Sequence, residues 1–311
     1  MRKTRFLLIV FFYNINMDFL TECITGNGHF RAYITNMTQL VTKSANIHKT
    51  SSDATIILGE ALICTAIMGK SLLKGKDKLN VKINGRGQIG QIVTETNTPT
   101  LLRGYVTNTK AKLSANRTLN RNYSDLVGTD GFISVTKLQD ELRPYVGEVP
   151  LVKGRIDRDF NYYLVQSEQI PSYINARVLV NPRGRVDSAG GFMLQPLPGA
   201  SELELNLLEQ HIKRLPNIAL MLSKGMTVKQ ILKKVFGKEK ININENKEVG
   251  LAPNLPKKWY AQALKKLPDK DIMDMINEDH GAEVTERYTE KAYYFSEEEL
   301  KDILLSKRKR K

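Results

Sequence analysis

Cysteine is nearly absent from this chain: Cys23 and Cys64 are the only two in 311 residues. So distant a pair excludes a disulfide framework and any four-cysteine metal centre within one chain. The two read as buried thiols in a reducing compartment, which places the protein in the cytoplasm. Histidine is scarce as well, and His29, His48, His211 and His280 are scattered, with no two at metal-ligand spacing. No G-x-S-x-G elbow, phosphate-binding lysine loop or paired H-x-x-E motif occurs, so no catalytic residue and no enzymatic activity are expected. No basic motif interleaved with base-stacking aromatics is visible. The N-terminal apolar run "FLLIVFFY" is too short to cross a bilayer, and no membrane association is expected.

Positive charge is what the chain has in excess, with a net +14. Its placement argues against a nucleic-acid partner. Without the tail "KRKRK" (307–311) and Arg2, Lys3 and Arg5, the net charge is +6, with acidic residues interspersed. Residues 1–16 read as an extension ahead of a start at Met17 in "MDFL", with an organellar targeting segment as the alternative. No small-residue cleavage site follows them, and Glu22 is a poor residue before Cys23 for a lipid-attachment site.

Hydrophobic residues make up 41% and charged residues 26% of the chain, as in a soluble globular protein. "SDATIILGEALICTAIMGKSLLKG" (52–75) is apolar on most faces with small residues between, the pattern of a helix buried against a sheet. Around it lie alternating stretches, among them "DKLNVKING", "GQIGQIVTET", "LLRGYVTN", "DGFISVTKL" and "INARVLVNPRGRVDSAGGFMLQPL". These predict an α+β domain over 17–195 with a largely antiparallel sheet and packed helices. Gly85, Gly87 and Gly90 match G-x-G-x-x-G, but a strand follows where a dinucleotide site needs a helix, so they predict a hairpin turn.

Residues 196–248 predict a helical linker. Ser201 with Glu204 forms a capping box ahead of Leu205, Leu208, Ile212 and Leu215, expected on one face, and Pro216 ends that helix. Thr227 with Gln230 caps a second helix, with Val228, Ile231, Leu232, Val235 and Phe236 as its apolar face and Gly237 as its stop. Such stripes either pack permanently on a core or form a detachable cover, because short capped helices are unstable alone in water. "GKEKININENKEVG" (237–250) is polar and lysine-rich and reads as a connector.

A small α+β module over 249–305 and a basic tail over 306–311 complete the chain. "VTERYTEKAYYF" predicts a hairpin, and Ser296 with Glu299 predicts a capped final helix stapled by Phe295 and Leu300. Hairpins this small are often held by a metal between cysteines three apart. Glu286 and Thr289 have that spacing without the cysteines, and read as ordinary hairpin residues.

The stretches "LGEAL…MGKSLLKGKDKLNVKINGRGQIGQIV", "LLRGYVTN", "VGTDGFISV", "PYVGEVPLVKGRI", "VDSAGGFMLQPLPGA", "EDHGAEV" and "YYFSEEEL" resemble the heat shock protein 33 family, over residues 17–305. The resemblance implies an ATP-independent holdase chaperone in which an α+β domain, a metastable helical linker and a small zinc domain succeed one another. In that family, oxidation of four cysteines releases zinc, unfolds the linker and exposes a client-binding surface, with dimerisation. By flanking residues, the family's C-x-C falls on Pro253 and Leu255 and its C-x-x-C on Glu286 and Thr289. None is cysteine, so no zinc and no thiol switch are expected.

A structural zinc supplies on the order of 10 kcal/mol to so small a module. Here Leu251, Leu255, Trp259, Tyr260, Leu264, Ile272, Met275, Ile276, Tyr288, Tyr293 and Phe295 are available to replace it, at roughly 1.5–3 kcal/mol each when buried. The expected partners are unfolding proteins, with a homodimer as a further expectation. The expected client surface is the linker stripe: Leu205, Leu208, Ile212, Leu215, Val228, Ile231, Leu232, Val235 and Phe236. Activation would be constitutive or by heat. A basic RNA- or ribosome-associated protein on the same fold is the alternative, carried by the charged tail.

Overall fold

Two strands, β1 (Phe19–Thr25) and β2 (Phe30–Asn36), form an antiparallel hairpin and lead into α1 (Thr38–His48) and α2 (Ser52–Leu72). This computed structural model describes residues 17–75, 77–98, 100–113, 122–139 and 143–308. The expected extension over 1–16 and tail residues 309–311 lie outside the described residues.

Next come β3 (Lys78–Asn84), β4 (Ile92–Thr98), β5 (Leu101–Val106), α3 (Ser124–Val127), β6 (Phe132–Leu138), β7 (Tyr145–Pro150) and α4 (Ile156–Gln166). Then β8 (Tyr173–Val180) and β9 (Val186–Pro196) pair antiparallel. Three helices come after them, α5 (Glu202–Arg214), α6 (Ile218–Ser223) and α7 (Val228–Phe236). Strands β10 (Ile241–Glu248) and β11 (Gly250–Leu251) precede α8 (Lys257–Leu264) and α9 (Asp269–Asn277). The hairpin β12 (Gly281–Glu286) and β13 (Lys291–Ser296) and the final α10 (Glu297–Arg308) complete the order.

The strands form a five-stranded sheet ordered β10-β1-β2-β9-β8, a six-stranded sheet ordered β11-β5-β4-β3-β6-β7, and the β12–β13 hairpin. Every pairing is antiparallel except the short β11–β5 pair, so the α+β expectation holds. α2 explains its own apolarity. It lies between the two sheets, against β8, β9 and β2 on one side and β4, β5 and β3 on the other. Ser51 accepts the Ala54 N–H at its start, at 3.1 Å, and Asp53 complements the dipole there. By length and composition α2 could cross a membrane, yet 83% of that stretch is buried inside the protein.

The turn with Gly85 and Gly87 is a hairpin, as its context requires. A Cβ at Gly87 would stand 2.1 Å from the Leu126 carbonyl, so glycine is needed for the close approach of the α3 segment.

One expectation fails in this part of the molecule. Residues 241–248, read as a polar connector, are the edge strand β10, paired antiparallel with β1 from Phe19↔Glu248 to Thr25↔Ile241 with a register shift between Glu22 and Cys23. Its side chains are mostly exposed, and backbone pairing with β1 holds it instead of apolar burial. The module's core also differs from the expected set. Tyr260, Leu264, Ile272, Ile276, Tyr293, Phe295, Leu300 and Ile303 form it, with Leu255 and Met275 at its edge. Trp259 is half-exposed, and Leu251 packs on the main core instead.

Candidate functional site

The first candidate site is the outer face of the five-stranded sheet. Alternation sends Phe30, Ala32 and Ile34 of β2 to that face while Tyr33 points toward α2. Cys23 of β1 and Phe192 and Leu194 of β9 complete the apolar surface. A sheet buried on both faces needs a second cover, and α5, α6 and α7 supply it. Ile218 and Met221 of α6 and Ile231, Leu232, Val235 and Phe236 of α7 are buried there, with the Phe30 and Phe236 ring centroids 6.1 Å apart.

Gly190 and Gly191 of β9 mark the closest approach from both sides. A Cβ at Gly190 would lie 2.3 Å from Leu222 of α6, and one at Gly191 would lie 2.5 Å from Ile63 of α2. Polar contacts position the cover. Ser188 Oγ donates to the Ala219 carbonyl at 2.6 Å, and the His211 ring meets the Val235 carbonyl at 3.1 Å. Both expected capping boxes are present. Glu204 also pairs with His29 Nδ1 at 2.7 Å and accepts from Asn27 at 3.0 Å, tying α5 to the β1–β2 turn. The Ser201 backbone N–H, then His29 and the Ser201 hydroxyl, hold the Glu204 carboxyl down at about 2.

Of the expected client-binding residues, Leu208, Ile231, Leu232, Val235 and Phe236 are brought together in this seam. Ile212, Leu215 and Val228 line its edge, half-buried. Leu205 is exposed, correcting the single-face expectation for α5: its first turn is held at the β1–β2 turn, where the strands end. Leu203 and Leu207 beside it are exposed as well. α6 was not expected from the sequence. Its signal lies in "NIALMLS", where Asn217 caps by accepting the Ala219 N–H at 2.8 Å.

The second candidate site is where the resemblance leads one to expect the family's metal ligands, at Pro253, Leu255, Glu286 and Thr289. Pro253 and Leu255 come directly after β11, which is zipped to the β5 edge through Gly250 N–H to Thr100 and Ala252 N–H to Leu102. Pro253 is exposed, and Leu255 packs at the edge of the module core, its carbonyl accepting the Tyr293 hydroxyl at 2.6 Å. Glu286 and Thr289 lie at the tip of the β12–β13 hairpin, which rests on β4 and β5. Both expected half-sites therefore stand at the seam between the module and the six-stranded sheet.

Glu286 and Thr289 are not the ordinary hairpin residues that the sequence suggests. Glu286 is buried, and its Oε1 meets Arg103 of β5 at 3.3 Å. Thr289 donates its hydroxyl to Glu286 Oε2 at 2.8 Å. Arg103 also reaches its cross-strand neighbour Glu95 at 2.6 Å, and Tyr288 donates to the other Glu95 oxygen at 2.9 Å. The Arg103 guanidinium lies 4.3 Å from the Tyr288 ring centroid, and Tyr105 packs edge-on to the same ring at 5.3 Å. Burial, with Glu95 beside it, pushes the Tyr288 hydroxyl above its ordinary value. Glu290 completes the contact, with its carboxylate 3.2 Å from the buried His48 ring.

This donor set does not fit zinc. Pro253 and Leu255 have no donor side chain, Thr289 offers a hydroxyl, and Glu286 is committed to Arg103. Among the described residues, no group of three or more His, Cys, Asp or Glu side chains is placed to share one metal ion.

A family model described as "Hsp33 protein" matches residues 18–296. The chain belongs to the Hsp33 family. The 33 kDa chaperonin of Levilactobacillus brevis is 40% identical over 287 residues, 92% of this chain and 97% of that protein. That of Oceanobacillus iheyensis is 37% identical over 286 residues, covering 92% and 99%. The crystal structure of the 33 kDa chaperonin of Thermotoga maritima, a heat shock protein 33 homolog, matches with a TM-score of 0.84. It is 30% identical and covers 94% of this chain and 99% of that one. As an Hsp33-family chaperone, this chain has client proteins as its partners.

Proposed function

We propose that this protein is an ATP-independent holdase whose client surface is the seam between α5–α7 and the outer face of the five-stranded sheet. It works in the cytoplasm, turns over no substrate and lacks the family's cysteine–zinc switch. The observation that carries this is the composition of the seam: the strands that pack one set of side chains on α2 carry apolar side chains on the outer face too. Their cover is made of helices of 13, 6 and 9 residues. Helices shorter than about 12–15 residues are marginal alone in water, so two of the three exist because of the packing and α5 is at the limit. Lifting them exposes a continuous apolar surface of the kind that binds unfolding chains.

The chemistry of the residues supports a protein without the switch. Neither half-site holds a thiol, and the two cysteines present are buried away from both. Burial pushes the Cys23 thiol up to about 12 and the Cys64 thiol well above its ordinary value, so neither supplies the thiolate that attacks peroxide. Light scattering of a thermally unfolding client, with and without ATP, tests the holdase reading. Stoichiometric suppression of aggregation, indifferent to nucleotide, is expected. No suppression at any temperature up to the protein's own unfolding would overturn it.

A further inference from the structure

The polar cluster at the hairpin tip and the two ends of the helical cover bear on one question: which part of the molecule moves first. The cover is an excursion whose base is closed. Leu197, where the chain leaves β9, donates its N–H to the His29 carbonyl at 2.8 Å. Lys240, where the chain enters β10, accepts from the Gly26 N–H at 2.6 Å. Both bonds land in the same β1–β2 turn. Beyond that base, β10 is zipped to β1 and clamped from α2: Lys70 Nζ meets Glu245 at 2.5 Å and Glu22 at 3.0 Å. Thr21 adds a hydroxyl bond to Asn246 at 2.6 Å. Residues 198–239 can therefore leave the sheet as a loop while the backbone pairing of β10 with β1 and the C-terminal module stay in place, at the cost of the packing Ile241 makes on that cluster.

A buried ionic clasp of one cation between two carboxylates, with a formal net charge of −1, holds that module. One guanidinium, Arg103, stands between two carboxylates, Glu95 on its own sheet and Glu286 on the module. All three side chains are less than a fifth exposed. Hydroxyl donors from Tyr288 and Thr289 satisfy the remaining carboxylate oxygens. Removing one partner from such a buried set leaves uncompensated charge and costs far more than the set contributes against an apolar replacement. Ion pairs of this kind also lose less on warming than short helices do, because the desolvation penalty of charged groups falls with temperature.

We propose that the Arg103–Glu95–Glu286 clasp occupies the role a metal would have in fixing the module, so that heat releases α5–α7 as a closed-base loop while the module stays docked. This rests on the holdase reading for its purpose, but the order of opening can be measured with no client present. Hydrogen–deuterium exchange of the full chain, monitored by mass spectrometry during warming, reads it directly. Exchange in 201–236 is expected to rise first, while 241–248 and 281–296 stay protected. Exchange of 281–296 together with or ahead of 201–236 would overturn the proposal.

Arg103→Leu leaves Glu95 and Glu286 facing each other and is expected to raise exchange in 281–296 at least about a hundredfold at rest. A triple variant with Arg103, Glu95 and Glu286 all changed to Leu removes the charges together and is expected to restore protection, which separates charge imbalance from a misfolded hairpin. Unchanged exchange in the single variant, or no restoration in the triple, contradicts the clasp. A failed client assay with this exchange pattern intact would instead sink the holdase reading alone.

Discussion

Phe236→Ala is the most informative single perturbation of the helical cover. Phe236 is buried at the end of α7, where its ring meets Phe30 of β2. Truncating a buried Phe to Ala costs about 3–5 kcal/mol. α7 is only nine residues long and has little helical stability of its own, so that cost falls on the docking of the cover. At about 1.4 kcal/mol per factor of ten, the population with α7 lifted should rise by roughly two to four orders of magnitude. Limited proteolysis reads this as cleavage within 201–236 at lower temperature, and the client assay reads it as earlier onset of protection. Leu207→Ala is the control, because Leu207 is exposed on α5 and its loss should stay within about 0.5 kcal/mol. Identical cleavage temperatures for Phe236→Ala and wild type would refute the view that packing on the sheet is what holds the cover.

Acid should loosen the start of α5. The Glu204 carboxyl is lowered from its ordinary 4.5 to about 2, so its contribution is present above pH 4.5 and is lost as pH falls toward 2. Exchange protection of 201–207 should track that window, and Glu204→Gln should abolish the dependence. Glu60 should show the opposite sign. Burial raises it to about 8 despite Arg177 nearby, so the folded state holds a proton that the unfolded state releases, and stability falls as pH rises from 4.5 to 8. Glu60→Gln should flatten that slope in thermal melts taken from pH 6 to 9. Neither Cys23 nor Cys64 should react with a thiol-alkylating reagent until the chain unfolds, as mass spectrometry of the native protein would report.

Much of this was legible in the residues, for identifiable reasons. Capping boxes are local, so Ser201–Glu204, Thr227–Gln230 and Ser296–Glu299 could be read without any tertiary knowledge. α2 announced itself because burial between two sheets demands an apolar residue at nearly every position. β10 did not, because an edge strand held by backbone bonds and by Lys70 can be almost wholly polar. Leu205 was misplaced because periodicity gives the face of a helix but not where the surface beneath it ends.

The clasp was hidden for a different reason. A buried carboxylate looks like a surface one until its partner is known, and Arg103 lies 183 positions from Glu286. Lys307, counted in the basic tail, is likewise engaged, 2.6 Å from Asp269, which leaves less of that tail free for phosphate contacts.

The central claim is that a chaperone of this family works here without a thiol switch. The measurement that tests it most directly is suppression of client aggregation across temperature, run in parallel with peroxide and with reductant, on protein whose zinc content has been determined. Protection that rises on warming and is the same in both, on zinc-free protein, is the predicted result. Protection that appears only after peroxide, or that disappears when bound zinc is removed, would contradict the account.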